Sequence, residues 1–509
     1  MPFPKPSPWT LVLTWLTLAL GCGGLTSTDD CDSGGGSACG GSLGAAGAPG
    51  AGDPITRIAV RRQGHVTLLE FADPSSVQTV PLTDHTFPGG LWQAELGGPS
   101  TIVWSPDGEA LAWSNDDGTA GAYVDGQIVS APSSAMASTP KVHWLSRDTL
   151  LVNPFDQFLS WEPRSGDVET STTRTLREIA GGAYVACENG RSTFVSASGE
   201  TVEWDRQWAF ALRPEGDRIA LFVPEAGASG LDPRLVDELV LPGAAADVID
   251  CDHPPASSSP EIFALGPVNW SASGRRLGFR LQSEPPVLRV GPSPVDEDAD
   301  ESRITSANDY GSRVWYFRGE DVIWFEPTWP EWPGDYVYAV QRRTEAGVES
   351  TLGMAAPGDG LVDSWPRADG HGDVLLAEYW SDDGFPGPTS LYVLSAQEEL
   401  FRLEPSIDPK PSILYVRTQP DGPGVAATIG TTCSLTISPC EPTRTLVWPD
   451  PDDDPGAVLT LSGEAHWLPG RNAVVLVAAP DLWLIELDHP EERVHLGEGT
   501  DVLVSPTFR

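Results

Sequence analysis

The sequence predicts an all-β protein: a single β-propeller of about seven or eight blades of antiparallel strands, closed by strands from the two ends of the chain. Three observations carry that prediction. A hairpin-like unit recurs along the chain, the composition suits turns rather than helices, and the two ends of the globular region read as halves of one unit.

The unit is clearest in TIVWSPDGEALAW (Thr101–Trp113), AFALRPEGDRIALFV (Ala209–Val223) and PVNWSASGRRLGFRL (Pro267–Leu281). Weaker copies begin at Lys141, Asp363, Tyr415 and Glu464. In each, a short apolar strand ends in an aromatic or apolar residue, a turn rich in Ser, Pro, Asp and Gly follows, and a second apolar strand returns. Pro presets φ early in such a turn, Asp accepts from the backbone two residues on, and Gly takes the positive φ that closes it. A third strand often follows, as in Asp481–Leu487, Val322–Phe325 and Ser390–Leu394. Three or four strands repeated about every 40–55 residues fit propeller blades. Between seven and ten units can be counted, with Tyr184, Val314 and Trp332 marking the doubtful ones, and seven or eight blades plus long loops is the expectation.

The composition agrees. With 48 Pro and 53 Gly in 509 residues, and no sustained 3.6-residue apolar period, helices are disfavoured. Trp104, Trp144, Trp270, Trp365 and Trp467 recur at one place in the unit, which makes them core between blades rather than ligand-stacking groups. DVLVSPTF (Asp501–Phe508) looks like a first strand and its turn with nothing after it. RIAVRRQGHVTLLEF (Arg57–Phe71) looks like the strands that should follow. Pairing Val502–Ser505 beside Arg57–Val60 would complete one blade and remove an open sheet edge.

The W-S-P-D-G motif of Trp104–Gly108 resembles the TolB-type propeller repeat of bacterial envelope proteins, a repeat also found in the propellers of prolyl-oligopeptidase-like enzymes. Trp270–Gly274 keeps part of it, and Trp467–Gly470 has lost the Ser and Asp. The likeness covers most of residues 55–509 and implies a propeller fold without fixing a function.

Ahead of the globular region, Lys5 precedes an uncharged apolar run, Trp9–Leu20, that is shorter than the roughly 20 residues of a spanning helix and ends at Gly21-Cys22. Residues 1–21 therefore read as a secretory signal. The junction Leu18–Cys22 resembles a bacterial lipobox, which implies lipidation of Cys22, attachment to the membrane through that residue, and an address in the cell envelope, at the outer membrane. Residues 22–54, almost wholly Gly, Ala, Ser, Thr and Asp, read as a flexible tether. Gly40–Gly44 spells G-x-S-x-G but has no strand before it and no helix after it, so it is not read as a nucleophile elbow.

Of seven cysteines, one is assigned to lipid, and the rest pair on paper as Cys433 with Cys440, Cys31 with Cys39, and Cys187 with Cys251. The net charge of −41, from 72 acidic and 31 basic residues, repels phosphate backbones and excludes nucleic acid. No metal is expected. The acidic loop Asp296–Glu301 offers no ligand spacing. In Asp450–Gly456 the Asp450, Asp452, Asp454 spacing begins like a calcium loop, but Pro455 replaces the turn glycine and Leu461 the closing Glu. The eight His are scattered, with no zinc spacing. No cofactor, catalytic residue or separate hydrolase domain is expected. The function expected is a monomeric binding or scaffold module for an envelope protein, peptide or glycan, using the insertions Ala226–Pro260, Pro285–Ser302 and Trp448–Gly456. The alternative is a propeller enzyme of lyase or glycosidase type, with its site at the ring centre.

Overall fold

The computed structural model describes residues 55–506 apart from 84–100, 116–118, 132–140, 153–157, 172–174, 181, 189–190, 205–208, 225–230, 242–264, 272, 282–286, 293–302, 306–314, 329–336, 357–358, 368–371, 380–387, 404–411 and 431–441. These residues form ten sheets with strands taken in sequence order. Sheet 1 joins Asp501–Val504 to Thr56–Arg62, His65–Phe71 and Gln78–Pro81. Sheets 2, 3 and 4 begin with Ile102–Trp104, Val142–Trp144 and Thr175–Ala180; sheets 5, 6 and 7 with Ala209–Leu212, Leu265–Trp270 and Trp315–Arg318; sheets 8, 9 and 10 with Asp359–Pro366, Ser412–Thr418 and Glu464–Trp467.

Each sheet packs on the next. Buried side chains join sheet 1 to 2 around Trp104 and Leu68, 2 to 3 around Trp144 and Ala122, and 3 to 4 around Leu151 and Ala186. Phe194 and Leu221 join 4 to 5, Phe222 meets Phe279 edge-on between 5 and 6, and Val290 meets Trp315 between 6 and 7. Further cores join 7 to 8, 8 to 9 and 9 to 10, and the cluster of Ile58, Leu69, Val475 and Leu484 joins sheet 10 back to sheet 1. First strands of neighbouring sheets approach one another, as Val142–Trp144 does Ile102–Trp104 and Glu464–Trp467 does Ser412–Thr418. Last strands such as Gln78–Pro81, Gln127–Ser130 and Glu349–Met354 are mostly exposed. The first strands therefore face the middle of a β-propeller and the last strands its rim.

The terminal pairing takes the register Ile58 with Val504, Ala59 with Leu503 and Val60 with Val502. Two expectations need correction. Ten sheets exceed the seven or eight blades anticipated. Sheets 4 and 7, near Tyr184 and Val314, were the doubtful units because they lack the Ser-Pro-Asp-Gly loop. Their first hairpins turn tightly at Gly182 (φ 80°) and Gly319 (φ 60°) instead. The third marker, Trp332, lies outside the described residues. The strands are also not all antiparallel: in sheet 5, Ile219–Pro224 pairs parallel with Val236–Leu241. A parallel pair needs a connection that carries the chain back along the sheet, and the insertion following Pro224 supplies it. Buried Asp237, paired with Arg218, fixes this third strand.

The motif turn is built as its chemistry demands. Ser105 Oγ accepts from Ala110 N–H at 2.9 Å and donates to Asp107 at 2.6 Å, and the same carboxylate accepts from Glu109 N–H at 3.1 Å. Ser271 repeats the first bond with Arg276 N–H at 3.1 Å. Gln419 supplies its own amide oxygen to Gly424 N–H at 3.1 Å.

Candidate functional site

The predicted site residues divide sharply. Cys22, Cys31, Cys39, Cys251, Cys433, Cys440, Asp296–Glu301 and Gly40–Gly44 lie outside the described residues. Cys187 is buried in sheet 4 and disulfide-bonded, its partner being outside the described residues. In the Asp450–Gly456 loop the acidic oxygens are spent locally. Asp450 accepts from the N–H of Asp452 and Asp453, Asp454 accepts from Gly456 N–H, and Asp452 pairs with Arg367 at 2.8 Å. Among the described residues no group of three or more His, Cys, Asp or Glu is placed to hold a metal ion.

The repeated tryptophans lie between sheets. Trp104, Trp144 and Trp467 are buried, Trp270 is half-buried, and the Trp365 side chain lies outside the described residues. Each of the four also reaches back with its indole N–H to a carbonyl in the first strand of the preceding sheet: Trp104 to Leu503 (3.3 Å), Trp144 to Val103 (3.2 Å), Trp270 to Ala211 (3.4 Å) and Trp467 to Arg417 (3.2 Å).

A second tie runs the other way, and sequence reasoning missed it. In other copies the side chain at the position of Ser in W-S-P-D-G reaches forward to a carbonyl in a turn of the next sheet, although Ser105 itself donates to Asp107. Ser505 donates to Gly108 (3.1 Å), Arg213 to Ser273 (3.1 Å), Arg367 to Pro423 (3.0 Å) and Gln419 to Arg471 (3.3 Å). Arg318, in the same place in sheet 7, donates to Ser395 at 3.0 Å. Joints 1/2, 5/6 and 9/10 carry both ties, so neighbouring sheets clasp each other reciprocally. Gly274 shows how close the clasp comes: a Cβ there would sit 2.1 Å from Arg213 Nε, at φ +63°. The signal was available in the aligned copies, since Ser, Arg and Gln have only side-chain hydrogen-bond donors in common.

Two polar clusters grow from these clasps. At joint 7/8, Tyr316 Oη donates to the Asp373 carboxylate at 2.9 Å, and Arg318 Nε lies 3.6 Å from it. Asp373 is 3% exposed. Burial, only partly offset by Arg318, Tyr316 and Arg367, pushes its carboxyl up to about 6. Burial beside that carboxyl also pushes the Tyr316 phenol well above its ordinary value. At joint 9/10, on the centre-facing strands, Arg417 pairs with Glu464 at 2.6 Å, and buried His466 lies 3.3 Å from the same carboxylate. The Arg417 guanidinium also lies over the Tyr415 ring, 5.4 Å from its centroid. Burial pushes the Glu464 carboxyl up, but the hydrogen bond and charge of His466, with those of Arg417, outweigh it and hold the group below its ordinary value. Glu464 is therefore an ionised anchor at neutral pH, whereas Asp373 titrates near it.

No family model and no curated protein matches the chain. Among solved structures it is similar to a eukaryotic initiation factor, at 9% identity and a TM-score of 0.42, over 89% of this chain and 98% of that one. It is also similar to the dihydro-heme d1 dehydrogenase NirN (11%, TM-score 0.36, 89% and 75%). A third is the Cps50 (Swd1) β-propeller domain of Myceliophteria thermophila (13%, TM-score 0.28, 81% and 97%). The chain is built of propeller-type repeats. That statement stands on its own ten sheets, and no activity is carried over from proteins at such distance.

Proposed function

We propose that this chain is a propeller-shaped binding or scaffold module of the bacterial cell envelope, resembling TolB-type repeat proteins, held at a membrane by lipid on Cys22 and recognising a protein, peptide or glycan. The observation that carries this reading is the clasped ring. Ten sheets packed on one another, with side-chain ties across six of the joints, make a rigid frame, and rigid frames present loops for recognition. Asp373 and Glu464, both acids of displaced titration lying between sheets, are engaged in ties between those sheets, which favours binding over a propeller enzyme.

The partner is sought by cross-linking in the native membrane followed by mass spectrometry. A reproducible envelope partner supports the module; turnover of a glycan by purified protein, with no partner captured, favours the enzyme instead. For the anchor, Cys22→Ser is expected to abolish acyl labelling and release the protein from the membrane fraction, because acyl chains contribute about 0.8 kcal/mol per buried CH₂. Palmitate labelling that persists in the variant contradicts it.

A further inference from the structure

The joint between sheets 7 and 8 holds a carboxyl, Asp373, that is 3% exposed and, unlike Glu464 at joint 9/10, is pushed up by burial rather than held down by its partners. Asp373 opens the second strand of sheet 8, Asp373–Tyr379, and is closed over by the first strand of sheet 7 through Tyr316 and Arg318. Arg318 spends its hydrogen bond on the Ser395 carbonyl, leaving its Nε 3.6 Å from Asp373, beyond hydrogen-bond range. Arg367, from the adjoining turn of sheet 8, is taken by Pro423 and Asp452 of sheet 9. At the same end Arg342 of sheet 7 is occupied by Asp321 and by Glu398 of sheet 8. Among the described residues the ionised carboxylate is therefore served by one direct hydrogen bond, from Tyr316. Arg318, Arg367 and Arg342 all spend their hydrogen bonds on other groups. A buried carboxylate so sparsely served is costly, whereas a neutral carboxyl in the same place is not.

We propose that the joint between sheets 7 and 8 is a proton-operated latch, held most firmly when Asp373 carries a proton and loosened when that proton leaves. The sign follows from the site. The neutral form fits the dry joint, and the ionised form gains most by letting water in. Loosening is confined to this seam because clasps such as those of joint 1/2 are neutral indole and hydroxyl donors that do not titrate. The nearest counterpart, Glu464, is ionised throughout. The latch is independent of what the ring binds.

Hydrogen exchange of the full-length protein, followed by mass spectrometry from pH 5 to pH 8 and corrected for intrinsic rates, reads the latch directly. Protection of Trp315–Arg318 and Asp373–Tyr379 should fall, by roughly tenfold, against a flat response in Ile102–Trp104. Asp373→Asn should abolish that fall. Should this variant fold poorly, Tyr316→Phe serves: removing the one hydrogen bond to the ionised form should move the midpoint to higher pH. A loss spread evenly around the ring, a fall that persists in Asp373→Asn, or a midpoint unmoved in Tyr316→Phe overturns the proposal.

Discussion

Joints 9/10 and 7/8 solve the same problem with different chemistry. At 9/10 the Trp467 indole reaches back to Arg417 O and the Gln419 amide reaches forward to Arg471 O, over a core of Ala426, Val447, Trp467 and Leu476. At 7/8 the forward clasp is Arg318, the core is Ile323, Val340, Leu375 and Tyr392, and the polar fill includes a buried acid. The apolar parts are comparable. The difference lies in how each joint serves its acid: at 9/10 Arg417 and His466 hold Glu464 ionised beside a neutral amide clasp, whereas at 7/8 the clasping guanidinium of Arg318 is spent on Ser395 O and leaves Asp373 pushed up by burial. Buried ion pairs are weak evidence for stability because desolvation offsets attraction, so joint 7/8 should be the more conditional of the two.

The largest effect should come from removing a whole strand. Deleting residues 500–509 strips Asp501–Val504 from sheet 1 and uncovers Ile58, Val60 and Leu482 together. The expected product is aggregation-prone and protease-sensitive, whereas deleting residues 23–50 should leave melting unchanged. A C-terminal deletion that melts as a soluble monomer at the wild-type temperature would mean that the sheets stand as an open array.

Next in size, Trp467→Ala at the neutral joint should cost about 3–5 kcal/mol, as large-to-small core substitutions do. Its ring lies against Gly424, where an added Cβ would come within 2.4 Å of the indole. Gly424→Ala should therefore also destabilise, by about 1–3 kcal/mol. Urea unfolding measures both.

At joint 7/8 the expected effect depends on pH. The folded protein holds the Asp373 proton up to about 6, against 3.8 ordinarily. Between those values the folded state binds more protons than the unfolded one, so stability falls as pH rises through that window, by about 3 kcal/mol. Asp373→Asn should lose this dependence, gaining on the wild type as pH rises from 4 to 7. Parallel stability curves for the two proteins would remove the distinction between the joints.

Much of this frame was legible in sequence. The strand–turn–strand grammar identified sheets 2, 3, 5, 6, 8, 9 and 10 through their hairpin loops, and the two half-units at the ends anticipated the pairing that joins Asp501–Val504 to Thr56–Arg62. Sheets 4 and 7 were harder to read because a tight glycine hairpin carries no loop signature. The parallel strand of sheet 5 was hidden because pairing direction depends on where an insertion returns. The clasps were half visible: Arg213 and Gln419 stood in the copies, but their reach to the next sheet is a distance that only the fold supplies. Asp373 gave no signal at all, since one acid among 72 is singled out only by burial.

The central claim, that neighbouring sheets hold each other through two reciprocal ties, is tested most directly by a double-mutant cycle at joint 1/2, where Trp104 donates to Leu503 O and Ser505 to Gly108 O. Trp104→Phe removes the backward donor and Ser505→Ala the forward one, each measured alone and together by denaturant unfolding. The account predicts that the two losses are coupled by about 0.5–1.5 kcal/mol, because each bond fixes the geometry of the other. Losses that add to within about 0.3 kcal/mol would contradict it, leaving the ties as separate hydrogen bonds on a ring held by its apolar cores alone.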